Sequence, residues 1–197
     1  MRDRQADYEA YFGDRLDPPS AEWYASYLRA AREPSLIALA VPRRGREQAP
    51  PVEQYRFLWL PSFHPPFAIR IARGASDDPD AGALLTVKEL ARLTGFTLPG
   101  PLVRVTTVEL PADRWAALRT QLDVGFWPLP SEPTRESRSG LDGAEWVMEG
   151  VRGTEYHVVH RWSPDEHSPA ADQAFRAAAL AFVDASGLAS RIAPEIY

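Results

Sequence analysis

Seven side chains carry the chemistry that this sequence can offer: His64, Asp142, Glu145, Glu149, His157, Arg161 and Trp162. Glu145 and Glu149 stand in AEWVMEGV, and His157 and Arg161 in YHVVHRW, with Arg152, Gly153 and Thr154 between the two runs. Runs dense in aromatic and β-branched residues around a glycine turn predict a β-hairpin. Two carboxylates, an imidazole and a guanidinium on one hairpin face could perform acid–base chemistry or hold an anionic ligand. They could equally be cross-strand charge pairs on a solvated face, each worth ~0.2–1 kcal/mol.

Loop length decides which residues share a face, because strand side chains alternate and a one-residue slip inverts the pattern. An odd loop groups Trp146 and Met148 with Tyr156, Val158, His160 and Trp162. Glu145, Glu149, His157 and Arg161 then share the other face with Val147, Val151 and Val159. An even loop mixes Glu145 and Glu149 with Tyr156 and Trp162. The odd register separates apolar from polar more cleanly, and it is the expectation.

Other chemistry is thinly supported. His157 and His160 have a spacing that chelates a metal on a helix, but on a strand they point to opposite faces, so no metal site is expected. The absence of cysteine excludes thiolate zinc sites, iron–sulfur clusters, disulfides and a cysteine nucleophile. His64 sits in a stiff Ser62–Pro66 turn, where an imidazole can be functional or simply exposed. Ser62 has no G-x-S-x-G elbow around it. Asp142 precedes Gly143 and suits a backbone-capping role in a turn. No dinucleotide or phosphate-binding loop occurs, and no cofactor is expected. Trp59, Trp115, Trp127 and Trp146 read as core. Trp162, beside Arg161 and Ser163, is the tryptophan expected to line a pocket or interface.

These residues need elements to position them. Residues 18–34 read as a helix with Ser20 as N-cap and Trp23, Tyr27 and Leu28 on one face, closed by Pro34. Residues 42–51 read as a polar linker. Strands are expected at 55–60, 67–72 and 102–110, and in the first half of 84–93. Pro111 opens a helix buried through Trp115, Leu118 and Leu122, and Ser168-Pro169 opens another through Phe175, Ala179, Phe182 and Val183. Strands joined by short turns predict an α+β fold with a mainly antiparallel sheet and two or three helices. The expected organisation is an N-terminal helical appendage and linker over 1–50 and an α+β domain over 51–197.

The chain has 197 residues, 45% hydrophobic and 25% charged, with a formal net charge of −5. That is an ordinary globular composition, long enough to fold without a staple. An acidic chain lacks the basic face that nucleic acid demands, and Arg43, Arg44 and Arg46 read as part of a solvated linker. No apolar run is long enough to span a bilayer, and no secretory leader is visible, so a cytoplasmic location is expected.

Two blocks carry a resemblance. YRFLWLPSFHP at 55–65, and GLDGAEWVMEG at 140–150 continuing to YHVVHRWSP at 156–164, resemble a family of uncharacterised bacterial proteins. That family carries Y-R-F-L-W-L-R-x-F-H-H-P and G-L-D-G-A-x-W…Y-H-x-V-x-R-W-S-P. The resemblance spans about residues 55–188, and departs at Pro61 and Pro65, where the family has Arg and a second His. It implies no activity, but it groups His64, Asp142, His157, Arg161 and Trp162.

The functional expectation is a non-enzymatic binding or interaction domain with a protein or small-molecule partner. The alternative is a small hydrolase or isomerase using Glu145 or Glu149 with His157, and Arg161 for an anion. It requires those side chains to converge on one pocket.

Overall fold

A computed structural model describes residues 4–41, 53–73, 81–93, 98–137 and 139–189. The expected linker with its three arginines, and most of the loop following residue 73, lie outside the described residues. Helices α1 (Arg4–Phe12), α2 (Pro18–Ala30) and the single turn α3 (Ile37–Ala40) precede strands β1 (Glu53–Pro61), β2 (Phe67–Arg73), β3 (Ala83–Leu90) and β4 (Leu102–Leu110). Helix α4 (Ala112–Gly125), strands β5 (Ala144–Arg152) and β6 (Glu155–Trp162), and helix α5 (Ala170–Ala185) follow. The strands form one antiparallel sheet in the order β4-β3-β2-β1-β5-β6. The fold is α+β, as the pattern of short turns implies.

Each sheet face has its own core. Tyr55, Phe57, Trp59, Phe67, Ile69, Ile71, Trp146 and Met148 alternate along three central strands and meet α4 and α5 through Trp115, Leu122, Phe175 and Phe182. Gly125 lets α4 and α5 touch, since a Cβ there would collide with the Ala174 carbonyl. On the opposite face Leu58, Leu60, Ala68, Val147 and Val158 pack under Phe12, Leu16, Tyr24 and Leu28 of the N-terminal segment. The first two helices therefore form a layer of the sandwich and cover the centre of the sheet.

Local signals explain most element boundaries. Asp17, rather than Ser20, caps α2 by accepting the Ser20 backbone N–H at 3.2 Å. The prolines at 18 and 19 occupy the first helical positions, where the missing N–H costs nothing. The buried stripe of α2 is Ala21, Tyr24, Ala25 and Leu28, leaving Trp23 and Tyr27 half-buried at its border. β3 runs as strand to Leu90, so the alternative of a short helix there falls to ladder pairing with β2 and β4.

The β5–β6 hairpin corrects the expected register. Its loop is two residues, Gly153 and Thr154, and the ladder pairs Glu145 with Trp162, Val147 with His160, and Glu149 with Val158. Gly153 has φ +63°, the conformation that a type II′ turn asks of its first central residue. The even loop puts Glu145 and Glu149 on the α1/α2 face with Tyr156, His160 and Trp162. His157 and Arg161 lie on the α4/α5 face. Apolar segregation failed as a guide because both faces are buried: each carries a core, and each tolerates paired polar groups.

Candidate functional site

The α1/α2 face of the sheet carries a polar row with two ends. At the inner end Arg56 of β1 lies opposite Glu149 of β5. Both are buried, at 0% and 1% exposure. The Arg56 guanidinium donates from Nε to Glu149 Oε2 at 2.9 Å and from Nη2 to the same oxygen, and its Nη1 reaches the Pro34 carbonyl at 2.7 Å. Tyr156 donates to Glu149 Oε1 at 2.9 Å. Glu33, in the turn after α2, closes the row with Arg56, Arg70 at 3.0 Å and Lys88 at 2.7 Å. Burial raises the Glu149 carboxyl above its ordinary value, opposed by the Arg56 charge and hydrogen bonds. Every polar atom of Glu149 is occupied, and no ligand can reach it.

The outer end is open. Glu145, two turns of the pleat along the same strand, keeps 19% of its side chain exposed. Its carboxylate accepts from the buried Tyr24 hydroxyl at 3.1 Å. It forms part of the wall of a cleft of about 370 Å³ between α2, the β1–β2 turn and the segment before β5. Trp23 and Tyr27 of α2 line this cleft with His64, Trp162, Leu60 and Leu93. Trp23 and Tyr27, one helical turn apart, meet as a corner: centroids 5.7 Å apart, planes at 89°. Glu145 is the only carboxylate among the described residues that line the cleft, and Arg92 is the only arginine.

Behind Glu145 runs a chain of titratable groups. The Tyr24 hydroxyl lies 3.2 Å from His160 Nδ1, and His160 Nε2 lies 2.8 Å from Glu132 Oε2. Glu132 is half-exposed, so the chain joins the cleft to bulk solvent. Its protons can be counted. With His160 as imidazolium, Nε2–H donates to Glu132, Nδ1–H to the Tyr24 oxygen, and Tyr24 O–H to Glu145, so every contact has one proton. With neutral His160 protonated on Nε2, the single Tyr24 proton serves Glu145 or Nδ1, not both. Burial alone would lower the His160 pKa, but the Glu145 carboxylate 3.9 Å from Nδ1 and the hydrogen-bonded Glu132 carboxylate raise it overall. Burial, with the Glu145 charge, pushes the Tyr24 phenol well up, so it stays neutral.

No protein-family model matches this chain, and no curated protein matches it either. Its chemistry must therefore be read from its own residues. Among the described residues no group of three or more His, Asp or Glu side chains is placed to hold a metal ion, and no helix is long and apolar enough to cross a membrane.

The remaining expected site residues fall in different places. His64 stacks against Trp59, planes 8° apart, and lines the cleft with Trp162. Asp142 is exposed and lies outside the cleft wall. His157 is on the far face, bonded through Nε2 to the Leu129 carbonyl at 2.9 Å and packed against Phe126 and Trp127; burial lowers its pKa. Arg161 is buried there too, pairing with Asp172 of α5 at 2.6 Å and donating to the carbonyls of Pro130, Ser131 and His160. It pins the 129–132 segment against the outer edge of β6. Glu145, Glu149, His157 and Arg161 therefore do not converge, and the expected polar face does not form.

Tyr24, His160 and Glu132 were not expected at a site. The even loop is the one signal in the sequence that moves His160 beside Glu145. Nothing in the spacing connects Tyr24 to them, because the contact spans the sandwich.

Proposed function

We propose that the protein is a binding domain, without catalytic activity of its own, whose small ligand or partner side chain seats in the cleft beside Glu145. One observation carries this reading: a partly exposed carboxylate, fixed from behind by a buried tyrosine, faces a concave wall of aromatic rings. Pockets that bind combine an apolar or aromatic lining with a few polar groups that set orientation. The resemblance of residues 55–65 and 140–164 to a bacterial family adds support through His64 and Trp162, two of the residues it groups; position 145 is variable in its pattern. A cytoplasmic location and a partner other than nucleic acid belong to the same proposal, in keeping with the net charge of −5.

The test is native mass spectrometry of the protein gently purified from its own host, beside Glu145→Gln. Wild type is expected to retain an added mass that the variant loses. A wild type without added mass, or equal retention by both proteins, contradicts the reading.

A second reading draws on the Glu145–Tyr24–His160–Glu132 chain, which can carry a proton between cleft and solvent and so suits acid–base catalysis. In this version Tyr24 and His160 replace Glu149, His157 and Arg161 as the partners of Glu145. It predicts that the retained molecule is chemically converted by wild type and left unchanged by His160→Gln.

A further inference from the structure

We propose that the group held in the cleft is an alkylated ammonium ion. This inference rests on the cleft being the binding site. A cation is attracted to the faces of Trp and Tyr rings, and several rings with a carboxylate form a cage for one. Trp23 and Tyr27 supply two faces at right angles, Trp162 adds a third ring to the wall, and Glu145 supplies the countercharge in a cleft that Arg92 also lines. The protein already uses such contacts elsewhere, with the Arg152 guanidinium 5.0 Å above the Trp127 ring.

The sparse acceptor lining favours a nitrogen without N–H groups. An –NH₃⁺ group needs three acceptors to replace water. The side-chain acceptors among the described cleft residues are few: the Glu145 carboxylate, the Ser62 hydroxyl, Tyr27 and His64. Glu145 Oε2 already accepts from Tyr24, and the Ser62 hydroxyl already accepts the Gly143 N–H at 3.2 Å. Tyr27 is held neutral, its phenol pushed up by burial, so it contributes a ring and a hydroxyl but no second anion. A quaternary or trimethylated nitrogen has no N–H to satisfy, and it gains from rings and carboxylate alone.

Isothermal titration calorimetry on the full chain tests this with choline and with its uncharged carbon isostere, in which a tert-butyl group replaces the trimethylammonium. Choline is expected to bind ~10-fold or more tightly than the isostere, in line with ~1.4 kcal/mol of cation attraction. Glu145→Gln and, independently, Tyr27→Leu are expected to remove most of that preference, with melting curves showing that both variants fold. A trimethyl-lysine peptide run in parallel separates the sources: tighter binding than choline means a partner's side chain, weaker binding means a free small molecule. Equal affinity for choline and isostere, or a preference untouched by Glu145→Gln, overturns the ammonium assignment. If native mass spectrometry still shows a Glu145-dependent ligand, only this assignment falls; if it shows none, the cleft reading falls with it.

Discussion

Glu145 and Glu149 lie on one strand and one face, yet their surroundings have opposite designs. Glu149 sits beneath the turn after α2, where Arg56, Tyr156 and the groups around Glu33 consume its hydrogen-bonding capacity. Glu145 sits at the border of the α2 cover, held by Tyr24 with His160 Nδ1 3.9 Å away, and otherwise faces the cleft. The same residue type is scaffold in one place and a binding group in the other. The difference is whether charged groups of the protein bond the carboxylate directly, as Arg56 does Glu149, or leave one side open for a ligand. A buried charge without a partner is too costly to keep, so the sealed end must be complete, whereas water can serve the open end until a ligand arrives.

The largest effect should come from breaking the sealed end. Arg56→Ala leaves Glu149 and Glu33 buried with less positive charge and should cost ~3–5 kcal/mol in chemical denaturation. A loss below ~1 kcal/mol would mean that water reaches the row and that the contrast is weaker than drawn.

Arg161→Ala should follow at ~3 kcal/mol, since it strands Asp172 and frees the 129–132 segment. If Arg161 were instead a ligand contact, the variant would melt like wild type and lose retained mass.

His160 gives a smaller effect with a defined sign. A folded pKa above the ordinary ~6.5 stabilises the fold below that value, and the gain is lost as pH rises through the folded pKa. His157, lowered by burial, acts the other way: it penalises the fold as pH falls below ~6.5. Subtracting the stability curve of His160→Gln from that of wild type isolates the first term. The difference should be positive at low pH and shrink as pH rises; a flat difference would separate His160 from the two carboxylates.

The smallest change is expected at the far edge of the sheet. β6 is covered by Ser131, whose carbonyl accepts the His160 N–H at 3.1 Å. β4 is exposed along most of its length, with Val103 and Val105 at 60% and 54%. Val105→Lys should shift stability by no more than ~0.5 kcal/mol and reduce aggregation on heating, because charge blunts an open edge.

Much of this fold was legible in the sequence. The helices opened by Pro111 and Pro169, and strands β1, β2, β4, β5 and β6, follow from proline placement and periodicity. The register of the hairpin was not legible, because the polar residues on its two faces are both paired and buried, so neither face looks more like the outside. Arg161 and His157 drew attention as chemistry yet serve packing, since a guanidinium that gathers backbone carbonyls leaves no local pattern. His64, Glu145 and Trp162 were recognised and do share the cleft. Tyr24 and Trp23 were missed as partners because the N-terminal segment read as an appendage, and only its docking through Phe12, Leu16 and Leu28 brings them to the sheet.

The measurement that bears most directly on the contrast is a side-by-side comparison of Glu145→Gln and Glu149→Gln, by unfolding free energy and by ligand mass in native spectra. Glu145→Gln should stay within ~1 kcal/mol of wild type and lose the ligand, while Glu149→Gln should lose at least ~2 kcal/mol more. Equal destabilisation of the two variants, or a ligand that survives Glu145→Gln, would contradict the division between a sealed and an open carboxylate.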